Sequence, residues 1–363
     1  MNAENTSALL LGILAAIAIG AVLKVAHTVM IPLAISILLF FILSPLISWL
    51  EKIRIPRVVA IIIVMLLFFG IFYLFGLFMY ASAKSFISEL PKYQARFTAL
   101  ITEISRELFE RFGLTTTILN EINWTRAIQN SILSFSGTLM EFIGNLLVIT
   151  FFLVFLLLEK KRFQVKVREA FHITMSDRIY LVLRHINDQI GRYLSVKFVV
   201  SLITGILVYI SLAIIGLDFP ILWGAMGFFL NFIPNIGSAF VVIVTITMSF
   251  IQFYPEWGPI LAVSITMLAI QTLMGNIIDP RLQGRRLNLS PFLILVSLLF
   301  WGWLWGVVGM FLAVPIMVII KLIFENIPMM RSIGILMGAG KEPIRELPVR
   351  KRRKEKRDEK VGP

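Results

Sequence analysis

Apolar runs separated by short polar breaks set the pattern of this chain. The first run covers roughly 8–26 and the second 30–50, with only three residues between them, so they predict a tight helical hairpin. Lys52, Arg54 and Arg57 precede a third run, 58–82. In the polar stretch after it, Phe86, Leu90, Tyr93, Phe97, Leu100, Ile104 and Leu108 recur every three or four positions, the spacing of an amphipathic helix. A fourth run covers 139–158. Beyond it Ile179, Leu183, Ile186, Ile190 and Tyr193 form an apolar stripe that predicts a helix lying at the membrane interface before a fifth run, 198–217. The pattern then turns irregular. Residues 219–232 end in NFIPNIGS, 239–254 is short, 260–278 is a complete span, and 291–320 is broken at WGWLWG. Since about 20 apolar residues cross a bilayer core, the expected fold is an all-α polytopic membrane protein. It has about eight transmembrane segments, with two broken or re-entrant helical hairpins in the C-terminal half.

Domain organisation follows the same breaks. Residues 1–82 carry three transmembrane helices and 83–135 an external amphipathic helical region. Residues 136–197 hold the fourth transmembrane helix and a basic cytoplasmic loop. Residues 198–325 form a transport core with hairpins at 219–254 and 291–320, and 326–363 a basic cytoplasmic tail expected to be disordered. Charge supports this order. Segment 159–197 has nine Lys/Arg against four acids, as cytoplasmic loops do, whereas the charges of 84–134 nearly balance. Each C-terminal hairpin is either two full spans or re-entrant. Parity closes in both cases with both termini cytoplasmic.

Composition sharpens the class. The chain is 58% hydrophobic and 15% charged, with mean hydropathy +0.89, far from soluble averages. The net charge of +13 is explained by basic loops and by the tail RKRRKEKRDEK, 350–360, which suits anionic lipid. That tail has no aromatic residue to stack bases, so nucleic acid is not an expected partner. With no cysteine, disulfides, thiolate metal sites and a cysteine nucleophile are excluded. The N-terminus lacks the basic region and cleavage site of a signal peptide, so the first apolar run is expected to be retained. MGAGK, 337–341, fails as a phosphate loop because Ile335 replaces the first glycine and Glu342 the final Ser/Thr. The three histidines are scattered and no GxSxG is present. No enzyme, cofactor or metal is expected.

Polar and helix-breaking residues at membrane depth mark the candidate path, because irregular backbone is tolerated there only inside protein or beside a cavity. In NFIPNIGS, Pro234 stops or kinks a helix, Asn231, Asn235 and Ser238 satisfy freed carbonyls or meet a solute, and Gly237 permits a positive-φ reversal. Gln271, Asn276, Asp279 and Arg281 form the second group. Asp279 is read either as an interfacial ion-pair partner or as an ion-coupling or solute group, with Arg281, Arg285 and Arg286 as nearest counter-charges. Pro280, Gly284, Pro291, Gly302, Gly306, Gly309 and Pro315 are hinge or packing candidates, with Gly302, Gly306 and Gly309 spaced to share one helix face where a second helix can approach. Trp301, Trp303 and Trp305 read as interface or packing aromatics, and Glu141, Asn145 and Lys24 as snorkelling or interhelical groups.

The order IPNIG (233–237), DPRLQGRRLNLSP (279–291), GWLWGVVGMFLAVP (302–315) resembles the AI-2E family of transporters, over roughly 8–335. Pro234, Gly237, Pro280, Gly284, Pro291, Gly306, Gly309 and Pro315 fall on that family's Pro/Gly pattern. Many members have His before the proline matched by Pro291, where this chain has Ser290, so no imidazole role transfers. The resemblance implies a large external loop before the fourth segment, a bacterial inner-membrane location and assembly as a homo-oligomer such as a pentamer. Family members are described as exporters of the quorum-sensing signal autoinducer-2 or as Na⁺(Li⁺)/H⁺ antiporters. Nothing resembles a nucleotide-hydrolysing domain, so transport would be secondary or passive. The first reading is an exporter of a small polar organic solute such as autoinducer-2. The rivals are a monovalent cation/proton antiporter with Asp279 and Glu141 as candidate titrating groups, and a non-transporting membrane scaffold.

Overall fold

A bilayer interior leaves backbone N–H and C=O groups no water to bond, so spanning segments close their own ladders as helices. The computed structural model describes residues 3–112, 144–160, 173–283, 289–327 and 330–340, with isolated positions between 160 and 173. In chain order these give α1 (Ala3–Val25), α2 (His27–Lys52), α3 (Arg57–Phe112), α4 (144–160), α5 (Ile173–Ile215), α6 (Pro220–Leu230), α7 (Ile236–Phe253) and α8 (Trp257–Ile270). A π-helical segment (Gln271–Ile278), α9 (Asp279–Gln283), α10 (Pro291–Asn326) and α11 (Arg331–Leu336) complete it. The regular structure of the described residues is helical throughout. Six stretches there are long and apolar enough to cross a membrane: His27–Lys52, Arg57–Glu103, Asn187–Ile215, Ile236–Phe253, Trp257–Gln283 and Pro291–Asn326. Exposed apolar side chains such as Leu66, Ile214 and Leu299 cover their outer faces, a surface suited to lipid.

Continuity differs from the apolar pattern in two places. α3 runs unbroken through the position where the third span was expected to end, carrying Pro91 inside it. Its second half is docked rather than detached. Phe86 meets Phe219 edge-on at 5.1 Å, Tyr93 donates from its hydroxyl to the Asp218 carboxylate, and Arg96 donates to the Gln252 carbonyl at 2.8 Å. Residues 113–143, with Glu141, lie outside those described. α5 likewise merges the expected interfacial helix with the fifth span. Ile190, Tyr193 and Leu194 are buried against Leu38 of α2 and Leu312, Val314 and Val318 of α10, so that part of the stripe faces protein, not headgroups.

α5 is the helix around which the array assembles, touching α2, α6, α8, the π segment, α9 and α10. Its crossing with α6 is close because glycines meet there. A Cβ on Gly205 would lie 2.7 Å from the Gly224 carbonyl oxygen, and one on Gly224 would lie 2.8 Å from that of Gly205. α6 has only eleven residues, about 16 Å of rise, roughly half a bilayer core.

α10 is not one rod. Trp305 (φ −129°, ψ 17°) and Gly306 (φ 63°, ψ −144°) leave helical geometry, and the chain reverses there. Ser297 Oγ donates to the Ala313 carbonyl at 3.1 Å across the two arms. The tail expectation needs correction in part. α11 packs its Gly334 against Glu325 of α10, and Ser290 N–H donates to the Met337 carbonyl at 3.0 Å, so residues 330–340 are folded onto the core. Residues 341–363 lie outside those described.

Candidate functional site

Along α5, Lys197, Ser201 and Thr204 stand at i, i+4 and i+7, one helix face rising about 10 Å. Burying such groups in an apolar array is costly unless each is bonded. Each of them is. Lys197 Nζ meets Asp279 Oδ2 at 2.7 Å, with the two side chains 5% and 13% exposed. Gln283 donates to the other Asp279 oxygen. Asn231 Nδ2 donates to Ser201 Oγ at 3.0 Å, both groups buried. Thr204 returns its hydroxyl hydrogen to the Val200 carbonyl at 2.8 Å.

Above Ser201, Thr204 lines a cavity together with Ser238 and Gln271 and an apolar wall that includes Val208, Val241 and Met267. Gln271 Nε2 donates to Ser238 Oγ at 2.7 Å across it. The cavity measures ≈ 10 Å³, the room of about one water molecule. One uncharged amide and two hydroxyls thus converge on a small pocket, with an ion pair about two turns along α5 from it.

The local backbone explains why Asn231 and Ser238 arrive there. α6 ends at Asn231, the chain turns through Phe232–Asn235, and α7 begins at Ile236. The reversal uses a positive φ at Asn235 (φ 59°), not at Gly237 as expected. Gly237 is needed for another reason: a Cβ there would collide with the Leu230 carbonyl oxygen, which closes the turn. This α6–α7 hairpin opens at the end of the array marked by Asp218, where Gln252 bonds Gly216 O and Asp218 N, each at 2.8 Å. The α10 hairpin opens at the other end, its base residue Leu289 clustering with Ile190 and Tyr193. The two tips meet inside. Phe232 stacks on Phe311 with centroids 4.3 Å apart, and Ile233 packs with Leu298, Trp301, Leu304 and Ala313.

The glycine ladder works differently from a one-faced stripe on a continuous helix. Gly306 makes the turn, a Cβ on Gly309 would collide with the Trp301 carbonyl, and Gly302 faces Met310 of the opposite arm. The partner helix is therefore the other arm of α10. Pro315 is buried in that arm and Pro291 starts the first. Of the tryptophans, Trp301 is buried, Trp305 Nε1 donates to the Leu23 carbonyl at 3.1 Å, and Trp303 lies under Lys24 Nζ at 4.2 Å.

Asp279 needs the largest correction. Among the described residues its counter-charge is Lys197, not Arg281, which is exposed; Gly284, Arg285 and Arg286 lie outside the described residues. Pro280, Asn235 and Asn276 are exposed as well, so the structure joins Ser238 to Gln271, ties Asn231 and Asp279 to separate residues of α5, and leaves Asn235, Asn276 and Arg281 outside these contacts. Sequence reasoning missed Lys197, Ser201 and Thr204. Lys197 was counted only as one of nine loop bases, yet its i, i+4, i+7 spacing with two hydroxyl residues at the mouth of an apolar run was a visible signal. The π segment was missed too, although Gln271, Gly275 and Asn276 interrupt that span. Among the described residues no group of His, Cys, Asp or Glu has the geometry for a metal.

Comparison with known proteins adds identity. A family model described as "AI-2E family transporter" matches residues 11–329. A Borreliella burgdorferi protein described as "Putative transport protein" is 38% identical over 87% of this chain and 86% of its own length. A Haemophilus influenzae protein with the same description is 32% identical over 93% and 98% respectively. The "AI-2 transport protein TqsA" of Escherichia coli K12 is 28% identical over 91% and 94%.

Proposed function

The chain belongs to the AI-2E transporter family, and from that membership we propose that it is a secondary or passive exporter of a small polar organic solute such as autoinducer-2. The observation that carries the reading is the cavity where Thr204, Ser238 and Gln271 converge, flanked by the Asn231–Ser201 pair. Amides and hydroxyls without net charge suit a solute that is itself uncharged and rich in hydrogen-bonding groups, because each bond to water that it gives up is replaced. At ≈ 10 Å³ the cavity is closed to any such solute, so passage requires the α6–α7 and α10 hairpins to part. Their meeting at Phe232 and Phe311 makes that a separation of two tips. In this reading the hairpins are re-entrant, Gly306 and Pro315 let the α10 arms move, and the end marked by Asp279 faces the cytoplasm with both termini. The protein sits in the bacterial inner membrane as a homo-oligomer, and neither catalysis nor a cofactor is assigned.

A second reading, a Na⁺(Li⁺)/H⁺ antiporter, is favoured by the buried Lys197–Asp279 pair. A carboxylate held by an ammonium is a group that a monovalent cation can claim when the lysine withdraws. Purified protein in liposomes separates the two. Efflux of labelled autoinducer-2 that falls in Gln271→Leu supports the exporter. Cation-driven proton movement abolished by Asp279→Asn, with no efflux, would replace it by the antiporter.

A further inference from the structure

For eight residues, from Gln271 to Ile278, the helix that began at Trp257 is π-helical, with bonds reaching one residue further than in an α-helix. Such a run is uncommon, since π geometry appears mostly as single-turn bulges. Here both ends are tied to other helices. Gln271 is held at the start by Ser238 of α7 at 2.7 Å, and Asp279 at the end by Lys197 of α5 at 2.7 Å. Gly275 makes room for the first tie, because a Cβ at that position would approach Gln271 Nε2 to 2.9 Å.

The two ties constrain one another. A π turn holds nearly one residue more than the 3.6 of an α turn, so over eight residues the two forms differ in angle by roughly 0.4 of a turn. With Asp279 on Lys197, relaxation to α geometry swings Gln271 away from Ser238 by that angle. With Gln271 on Ser238, the same relaxation swings Asp279 away from Lys197. The α form cannot keep both.

We propose that Gln271–Ile278 is a register switch: the Lys197–Asp279 pair holds it in the π form, and the π form holds Gln271 in the cavity. Lys197 is thus a positioning residue for Gln271, although about two turns of α5 separate it from the cavity. The consequence for passage rests on the exporter reading, whereas the switch itself does not need a solute. Releasing the ion pair, by whatever draws Lys197 or Asp279 elsewhere, withdraws the Gln271 amide and changes what the cavity offers.

Peptide-resolved amide hydrogen exchange on the full chain in lipid nanodiscs, without solute, tests it. In Asp279→Asn, peptides covering 271–278 should exchange about tenfold faster, with peptides of α7 unchanged, because only the unanchored register interconverts. Unchanged exchange across 271–278 overturns the proposal. If α7 also loses protection, the charge-reversed Lys197→Asp/Asp279→Lys variant decides. Recovery in both segments supports the switch, and recovery in α7 without 271–278, or in neither, refutes it. Since no transport is measured, failure of the exporter reading leaves this result untouched.

Discussion

The α5–α6 crossing allows a sharp test, because two glycines there face each other's backbone. A Cβ on Gly224 would lie 2.7 Å from the Tyr209 Cβ and 2.8 Å from the Gly205 carbonyl oxygen, where ordinary contact begins at 3.4 Å. The obstacles are backbone and Cβ atoms, which cannot rotate away, so the helices must separate by about 0.7 Å, an overpacking that typically costs about 1–3 kcal/mol. Gly205→Ala meets the Gly224 carbonyl at 2.7 Å and should cost about the same. The double variant is the informative one. A separation forced by the first methyl already accommodates the second, so the combined loss should fall short of the sum by at least about 0.5 kcal/mol. Thermal unfolding of the detergent-purified protein, followed by far-UV circular dichroism, reads all three. Gly70→Ala is the control: it lies within α3 with nothing within 4 Å of the added Cβ, and should be neutral or stabilising by up to about 1 kcal/mol. Strict additivity, or a Gly224→Ala variant as stable as the Gly70 control, would refute the claim that backbone contact sets this crossing.

Three further outcomes follow from the same geometry. Lys197→Met should destabilise by about 3–5 kcal/mol by stranding the Asp279 charge, while Lys197→Met/Asp279→Leu should regain most of that loss in thermal unfolding. Arg281→Gln removes an exposed side chain that Asp279 does not use, so its stability should stay within about 0.5 kcal/mol of the parent. A double-mutant cycle on Phe232→Leu and Phe311→Leu should show about 0.5–1.5 kcal/mol of coupling, since the stacked pair joins the two hairpin tips.

What could be read along the chain was whatever depends on local periodicity. Apolar runs long enough for a bilayer specify helices wherever they occur, because lipid offers the backbone no other partner. Pro234 and the WGWLWG glycines mark the two places where helices stop and reverse; of the polar residues that read as costly to bury, Asn235, Asn276 and Arg281 are exposed, while Asn231, Ser238, Gln271 and Asp279 bond to other helices. Their partners could not be read in this way. Lys197 and Asp279 are 82 residues apart, and which base neutralises an acid is decided by how helices cross, not by proximity in sequence. Arg281 lost that role because two positions along a helix turn a side chain to another face. Gly237 and Gly309 were flagged for conformational freedom or for one-faced packing, yet both serve to let a carbonyl from an earlier turn come close, a requirement that exists only once the chain has folded back. Local periodicity and punctuation are enough to specify a helical membrane protein with two interrupted helical stretches. That the tips meet, that α5 collects polar residues on one face, and that a π segment links the cavity to the ion pair follow from how the helices pack. Each of those is a long-range contact, fixed by packing between helices whose individual patterns carry no record of their neighbours.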